Sequence, residues 1–255
     1  MKFFVVSSFT NDVFCGNPAG VCLVGESWLP DEKMQQIAAQ VNLSETAFVL
    51  RRNDGFFIRW FTPTVEVDLC GHATLAAACV MYDFYNAKEL VFTSKKYVLP
   101  VEKSGERFVL DFPVAGLQKI FDFPNPFNYD PSEVYTANDE YLFVYENQAQ
   151  IETAVCDLQT ASNIDLQGFI ITAPGDNGID FASRYFAPKI GINEDPVTGS
   201  AHTILAPYWQ KILGKNEFHA RQLSKRGGEL FCRIEGDRVK IAGSAVIFSR
   251  GEIFQ

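Results

Sequence analysis

The sequence contains RWFTP at residues 59–63 and a similar stretch, RYFAP, at residues 184–188. Each copy is followed by a short variable stretch, a glycine and a run of small, mostly apolar residues. The first run is GHATLAAA from Gly71, and the second is GSAHTILA from Gly199. Because the same features recur in the same order, the chain is predicted to be an internal duplication.

One copy of the repeat is predicted to form a strand, a glycine turn, a helix and then two strands. Phe56–Phe61 and Asp180–Phe186 carry the β-branched and aromatic residues typical of strands. The segments after the two glycines are good helix formers with almost no charge, so they are expected to be buried on all sides. We therefore predict an α+β fold of two pseudo-symmetric domains, each a rolled, barrel-like β-sheet around a central apolar helix.

The two copies predict two domains and a linker. Three prolines fall within residues 121–131, which is typical of a linker. We expect the first domain to span residues 1–117 and the second residues 118–255, with the last strand able to pack on the first domain. An additional amphipathic helix is predicted from Asp31 to Val41, because its apolar residues share one face and Pro30 precedes it.

Composition excludes several classes of function. The chain has 255 residues and a formal net charge of −9, and it lacks the basic stripe with which proteins neutralise phosphates. Its longest apolar stretches, such as Leu75–Met81, are much shorter than the ~18 residues that a membrane span requires. We accordingly expect neither nucleic acid nor a membrane as a partner.

The cysteines and the known cofactor motifs also narrow the possibilities. The six cysteines contain no C-x-x-C pair and form no zinc-like grouping with the three histidines. Such a chain is expected to carry reduced thiols in the cytoplasm. Motifs for nucleotide binding, zinc proteolysis and serine hydrolysis are absent. The sequence therefore predicts a cytoplasmic protein with no metal, and it gives no support to a nucleotide-dependent or serine-hydrolase mechanism.

The duplication predicts where a ligand binds. Two similar domains leave a cleft between them, and ligand sites concentrate at domain interfaces. If the pseudo-symmetry is close, the turns at Gly71 and Gly199 face each other across this cleft, and each begins a helix whose free N–H groups attract anions. We expect a small anionic substrate, such as a carboxylate. Ser200 is either a ligand of that anion or a plain helix cap.

Three polar residues are candidates for catalysis. Glu45 stands among small and apolar residues, and it is either a solvent-facing strand residue or a general acid/base. His72 follows its glycine at a helix start, where the helix field disfavours the imidazolium, so we expect a neutral imidazole; a simple capping role is the alternative. Asp195 either caps a turn or binds a substrate amine or hydroxyl. His202 has a core position as its simplest interpretation.

Cys70 is a fourth candidate. It precedes Gly71 directly, where a helix N-terminus can activate a thiolate. Laying CGHAT over PVTGS from their ends makes Pro196 the counterpart of Cys70 in the second copy. A symmetric pair of thiols is therefore not expected.

Four motifs together resemble the phenazine-biosynthesis PhzF-like family. They occur in the family's order and cover nearly the whole chain: FCGNPAGV at 14–21, NLSETAF at 42–48, CGHAT at 70–74 and EDPVTGSAH at 194–202. The resemblance implies the diaminopimelate epimerase fold and a homodimer. It also implies a cofactor-independent isomerase in which one glutamate moves a proton on its substrate.

The resemblance also implies which residues do this chemistry. By motif, the family's glutamate corresponds to Glu45, and its substrate-positioning partners correspond to His72, Asp195 and Ser200. The amides at Gly71 and Gly199 would lie near the ligand. Related epimerases and racemases use two cysteines instead, of which this chain keeps only Cys70. An epimerase that uses Glu45 or Cys70 with a second acid remains one alternative, and a non-catalytic binding module is another.

Overall fold

The computed structural model describes residues 1–52, 55–87 and 89–254. They divide into two compact units: unit 1 contains residues 1–111 and 242–255, and unit 2 contains residues 112–241. The end of the chain therefore belongs to unit 1, and the units change over after residue 111, whereas the sequence predicts a boundary after residue 117.

The helices and strands follow in chain order. Up to the end of unit 1 they are β1 (Lys2–Ser8), β2 (Asn17–Val24), α1 (Asp31–Val41), β3 (Glu45–Arg52), β4 (Gly55–Phe61), β5 (Glu66–Val67), α2 (Gly71–Tyr85), β6 (Leu90–Thr93), β7 (Val98–Ser104) and β8 (Arg107–Pro113). Those that follow are β9 (Gln118–Ile120), β10 (Glu133–Ala137), β11 (Glu140–Val144), α3 (Gln148–Thr153), α4 (Leu158–Ser162), β12 (Gly168–Pro174), β13 (Phe181–Ala187), β14 (Ile192–Asp195), α5 (His202–Leu213), β15 (Glu217–Gln222), β16 (Gly228–Glu235) and β17 (Arg238–Glu252).

Unit 1 is a rolled sheet around one helix. β1 lies antiparallel between β2 and the end of β17. β2 is parallel to β3, β3 antiparallel to β4, and β4 parallel to β6, while β6, β7 and β8 form a meander. A pairing of β8 with β17 closes the eight strands into a barrel.

The central helix of unit 1 is α2, which connects the parallel strands β4 and β6. It packs against β1, β2 and β3, and every residue from His72 to Met81 is buried. The prediction of an apolar helix buried on all sides is therefore confirmed. The amphipathic helix α1 also has the predicted bounds, with Met34, Ile37 and Ala38 buried.

Unit 2 repeats this order of pairings. β11 is parallel to β12, β12 antiparallel to β13, β13 parallel to β15, and β15 antiparallel to β16. The helix between the parallel strands β13 and β15 is α5, and its residues from His202 to Trp209 are all buried. The two units thus share one topology, which confirms the predicted α+β fold with a rolled sheet around a helix in each half.

An arginine–carboxylate pair recurs at the same place in both units. Arg59 on β4 donates from Nε and Nη2 to the two carboxylate oxygens of Glu66 on β5, at 2.7 Å each. Arg184 on β13 does the same to Glu194 on β14, at 2.6 and 3.1 Å. Such two-pronged pairs define geometry as well as energy. In each unit the pair ties a long strand to the short strand that leads into the glycine turn.

Among the described residues, no helix has both the length and the apolar character that crossing a membrane requires.

Candidate active site

A left-handed turn delivers Glu45 to its position. Asn42 ends α1 with φ 53°, and its N–H donates to the carbonyl of Ala38 at 3.0 Å. Asparagine tolerates this conformation better than most residues. The chain then turns into β3, whose first residue is Glu45, and the carboxylate side chain is only 13% exposed. Glu45 is therefore not a solvent-facing strand residue.

Buried hydrogen bonds hold His72 at the start of α2. Cys70 precedes the helix in an extended conformation, and Gly71 and His72 are its first two residues. The hydroxyl of Ser8 donates to the carbonyl of His72 at 2.8 Å, and the hydroxyl of Thr74 donates to the carbonyl of Cys70 at 2.6 Å. The orientation of the helix start is thus set by β1 and by the helix itself.

The two predicted catalytic residues of unit 1 are in contact. His72 Nε2 lies 3.1 Å from Glu45 Oε2, and His72 Nδ1 lies 3.5 Å from Cys70 Sγ. The imidazole is 8% exposed. Within the described part of the chain, neither Nε2 nor Oε2 has a hydrogen-bond partner. These two atoms therefore retain hydrogen-bonding capacity for a third group.

The protonation states of this cluster differ from the expectation. Burial alone would lower the pKa of His72, but Cys70 and Glu45 beside it raise that pKa well above the usual value. Burial also raises the pKa of the Cys70 thiol, which favours its protonated form. This direction is opposite to the one expected for a neutral imidazole, and its causes are Cys70 and the Glu45 carboxylate 3.1 Å away.

The same three side chains have the donor types of a metal site. Glu45, Cys70 and His72 each offer one ligand atom, and these atoms lie within 4.8 Å of one another. A cation would have to displace the protons of the thiol and the imidazolium, since metals bind the deprotonated forms. This grouping is not predictable from the sequence, because the three residues do not fall into a short motif.

In unit 2, Asp195 ends β14 and is buried, opposite Tyr185 on β13. The hydroxyl of Thr198 donates to Asp195 Oδ2 at 2.5 Å. Gln222, at the end of β15, bonds the backbone carbonyl of Asp195 and both the backbone and the hydroxyl of Thr198. Asp195 is thus part of a buried polar network with Thr198 and Gln222. Of these three residues, only Asp195 is predicted from the sequence.

Gly199 and Ser200 lie in the turn ahead of α5, which begins at His202. The N–H of His202 donates to the carbonyl of Gly199 at 3.0 Å, and the N–H of Thr203 to the carbonyl of Ser200 at 2.9 Å. These i to i+3 bonds form a tight turn, so the helix start predicted at Gly199 is wrong. Ser200 is exposed in this turn, whereas Gly71 does begin its helix, as predicted.

The sheet register also corrects the counterpart of Cys70. Trp60 faces Val67 in unit 1, and Tyr185 faces Asp195 in unit 2. Counting three residues on from Val67 gives Cys70, and three on from Asp195 gives Thr198. Thr198 is therefore the counterpart of Cys70, not Pro196. The conclusion that a second thiol is absent is unchanged.

His202 is a core histidine. It is fully buried, and its Nδ1–H donates to the carbonyl of Thr198 at 2.9 Å. Burial lowers the pKa of His202 to about 4, although the bond to Thr198 opposes the change. The ring is therefore neutral, as expected for a histidine with a structural role.

Comparisons with known proteins cover nearly the whole chain. Residues 6–251 match the family PhzC-PhzF, described as "Phenazine biosynthesis-like protein". An "uncharacterized isomerase" of Pseudomonas aeruginosa is 44% identical over 99% of this chain and 98% of its own length. The crystal structure of a PhzF-family phenazine biosynthesis protein from Enterococcus faecalis is 42% identical, covers 100% of this chain and 99% of its own, and superposes with a TM-score of 0.96. A probable proline racemase from Agrobacterium radiobacter shares the fold at 10% identity, with a TM-score of 0.65 over 99% of this chain and 92% of its own.

Proposed function

Because the chain belongs to the PhzC-PhzF, phenazine biosynthesis-like family, we propose that it is an isomerase that moves a proton on a small carboxylate-bearing substrate. The names of several relatives support an isomerase at the level of the family. We propose further that the reaction needs no cofactor and that one glutamate, Glu45, carries the proton.

The contact between Glu45 and His72 is the observation that carries this proposal. The carboxylate takes a proton from a C–H bond of the substrate, and the electron pair of that bond moves into the conjugated system of the substrate. Glu45 then returns the proton to a different carbon. No atom is gained or lost and nothing is oxidised, so the product is an isomer. General acid/base catalysis of this kind typically contributes a factor of about 10² to 10⁴ in rate.

His72 has a separate role in this scheme. Its imidazolium places a positive charge beside the position where negative charge develops on the substrate, and Nε2 retains a donor for it. A preorganised charge in a buried site stabilises a transition state more strongly than the same charge in water. The N–H groups at the Gly71 end of α2 are proposed to bind the substrate carboxylate.

The remaining predicted residues belong to the proposal as substrate-binding groups. Asp195 is proposed to receive a substrate donor, and Gly199 and Ser200 to bind an anionic group. We also propose that the protein is a cytoplasmic homodimer, as the family resemblance implies. The six cysteines, all free, are compatible with a reducing compartment.

An epimerase that works through two thiols is less well supported. Cys70 is buried, its pKa is raised, and a threonine occupies the counterpart position in unit 2. A thiol that stays protonated is a poor base and a poor nucleophile. Glu45 is therefore the better candidate for the group that accepts the proton.

Exchange of solvent deuterium tests the proposal. A panel of small unsaturated, hydroxy and amino carboxylates is incubated with the protein in D₂O and followed by NMR. The wild type should exchange deuterium into one class of compound, and Glu45→Gln should abolish exchange while changing the affinity for that compound by no more than about tenfold, or about 1.4 kcal/mol. Glu26→Gln makes the same chemical change at an exposed position and should behave as wild type.

Two results would contradict the proposal. Exchange at the wild-type rate in Glu45→Gln would remove Glu45 from the mechanism. Compounds that bind the wild type but show neither exchange nor turnover would favour the binding-module alternative.

A further inference from the structure

Gln222 makes more polar contacts than its position at the end of a strand requires. Its side chain is buried, with 1% of the residue exposed. Oε1 accepts from the backbone N–H of Thr198 at 2.7 Å. Nε2 donates to the backbone carbonyl of Asp195 at 2.8 Å and lies 3.2 Å from the hydroxyl oxygen of Thr198. One amide therefore brackets the whole segment from Asp195 to Thr198.

With an ionised Asp195, these contacts have one consistent set of hydrogen-bond directions. A backbone N–H can only donate, so the atom that faces the N–H of Thr198 must be the oxygen of the Gln222 amide. The amide nitrogen then faces the Thr198 hydroxyl and donates to it. Because the hydroxyl has a single proton, that proton points to its other neighbour, Oδ2 of Asp195, at 2.5 Å. The backbone N–H of Thr198 thus fixes the orientation of the Gln222 amide, the amide fixes the Thr198 hydroxyl, and the hydroxyl donates to the Asp195 carboxylate.

We propose that Gln222 is a positioning residue for Asp195. It orients the Thr198 hydroxyl as a donor, and that donor keeps Asp195 Oδ2 unprotonated and its carboxylate in one rotamer. The relay itself rests on this geometry; only its catalytic consequence rests on the proposed function of Asp195.

The fold alone does not require the hydrogen bonds that Gln222 makes to Asp195 and Thr198. Ser183 faces Gln222 across β13 and β15, whereas in unit 1 the pairing of β4 with β6 ends at Phe57 and Thr93, one position before Ser94. The hydroxyl of Ser94 bonds the backbone of residues 96 and 97 within its own turn. Unit 1 has the same topology without a glutamine at this strand end. The contacts of Gln222 are therefore specific to the segment from Asp195 to Thr198 in unit 2.

The first test needs no substrate. Protein labelled with ¹³C at the aspartate carboxyl carbons is titrated by NMR, and the Asp195 resonance is assigned by its loss in Asp195→Asn. Thr198→Val removes the donor and should raise the Asp195 titration midpoint by about one pH unit, as expected for the loss of one charge-assisted hydrogen bond. Thr198→Ser keeps the hydroxyl and should restore the wild-type midpoint.

Gln222→Met then distinguishes a relay from simple packing. It keeps the size of the side chain without adding a charge, and it should raise the Asp195 midpoint in the same direction as Thr198→Val. The double variant should shift the midpoint no further than Thr198→Val alone, because both changes remove the same bond. Gln222→Asn is the milder variant if Gln222→Met does not fold, and Gln118→Met is the exposed control.

An Asp195 midpoint that stays at the wild-type value in both Gln222 variants would overturn the proposal, even if both melt earlier. Additive shifts in the double variant would also overturn it. Once the exchange experiment has identified a substrate, the Gln222 variants should lower kcat, and Asp195→Asn should cancel that effect. Failure of the exchange experiment leaves the NMR result standing, so the two proposals can fail separately.

Discussion

His72 Nε2 and Glu45 Oε2 lie 3.1 Å apart, although one belongs to the start of α2 and the other to the start of β3. The contact joins two elements that are distant in sequence, and together with Cys70 it raises the pKa of His72. Burial works against an imidazolium at this position, so its charge depends on the partners beside it. Replacing a single partner of a buried ion pair is costly, since the remaining charge is left uncompensated.

Glu45→Gln should therefore lower the pKa of the His72 imidazole. Removing the carboxylate takes away one of the two neighbours that raise the pKa of the ring, while burial, which lowers a histidine pKa, remains. The titration midpoint of His72, followed by the ring protons in NMR, should fall from its raised wild-type value in the variant. An unchanged midpoint would mean that the carboxylate does not charge the ring.

Cys70→Ala should keep most of the activity once a substrate is known. The buried thiol has a raised pKa and stays neutral near pH 7, so it does not act as the base. We expect a loss of less than about tenfold in kcat/KM, which corresponds to about 1.4 kcal/mol. A loss as severe as that of Glu45→Gln would show that the thiol accepts the proton.

Small anions should raise the melting temperature through the turn that holds Ser200. A ligand that binds only the folded state adds RT ln(1 + [L]/Kd) to stability, which is about 2.7 kcal/mol at a hundred times Kd. Phosphate, sulfate and a small carboxylate should each raise Tm, and Ser200→Val should reduce the shift. Ser249→Val, a change at another exposed serine, should not. An equal shift in both variants would place the anion elsewhere.

Glu140→Gln should stabilise the protein above pH 7. Burial raises the pKa of Glu140 from 4.5 to about 7, although the Tyr185 hydroxyl donates to it at 2.6 Å. The folded protein then holds a proton that the unfolded chain has lost, so stability falls as pH rises from about 4.5 to 7 and is level above that range. A glutamine stays neutral and can still accept from Tyr185.

Urea unfolding at two pH values checks this prediction. The gain in the free energy of unfolding should reach at most about 3 kcal/mol at pH 8 and should vanish near pH 4.5. Glu217→Gln, at an exposed strand position, should change neither value. A gain of the same size at both pH values would contradict the assigned cause.

The parts of the fold that the sequence predicts are those with strong local patterns. The amphipathic face of Asp31–Val41 and the uncharged run after Gly71 each determine a helix without help from distant residues. The start of α5 is different. Residues 198–201 also satisfy their backbone in a tight turn, and the sequence does not show that the turn wins over an earlier helix start.

The sequence predicts residues of the candidate site, such as Glu45 and His72, but it does not predict their electrostatic interactions. Glu45 and His72 stand out as polar residues in apolar segments, yet the charge of the ring depends on a contact between residues far apart in sequence. Gln222 carries no local signal, because a glutamine that ends a strand is ordinarily a solvated residue. Its importance becomes visible only when β14 and β15 are seen beside β13.

The recurring arginine–glutamate pairs are common to the two units, whereas the segments that follow them differ. Arg59–Glu66 and Arg184–Glu194 anchor the same short strand in each unit, independently of the side chains that come next. The segments after the two anchors differ: one copy has a thiol at Cys70 where the other has a hydroxyl at Thr198. A duplicated gene with such anchors can specialise its halves, and grafting one copy's turn onto the other is a practical route to new chemistry on this scaffold.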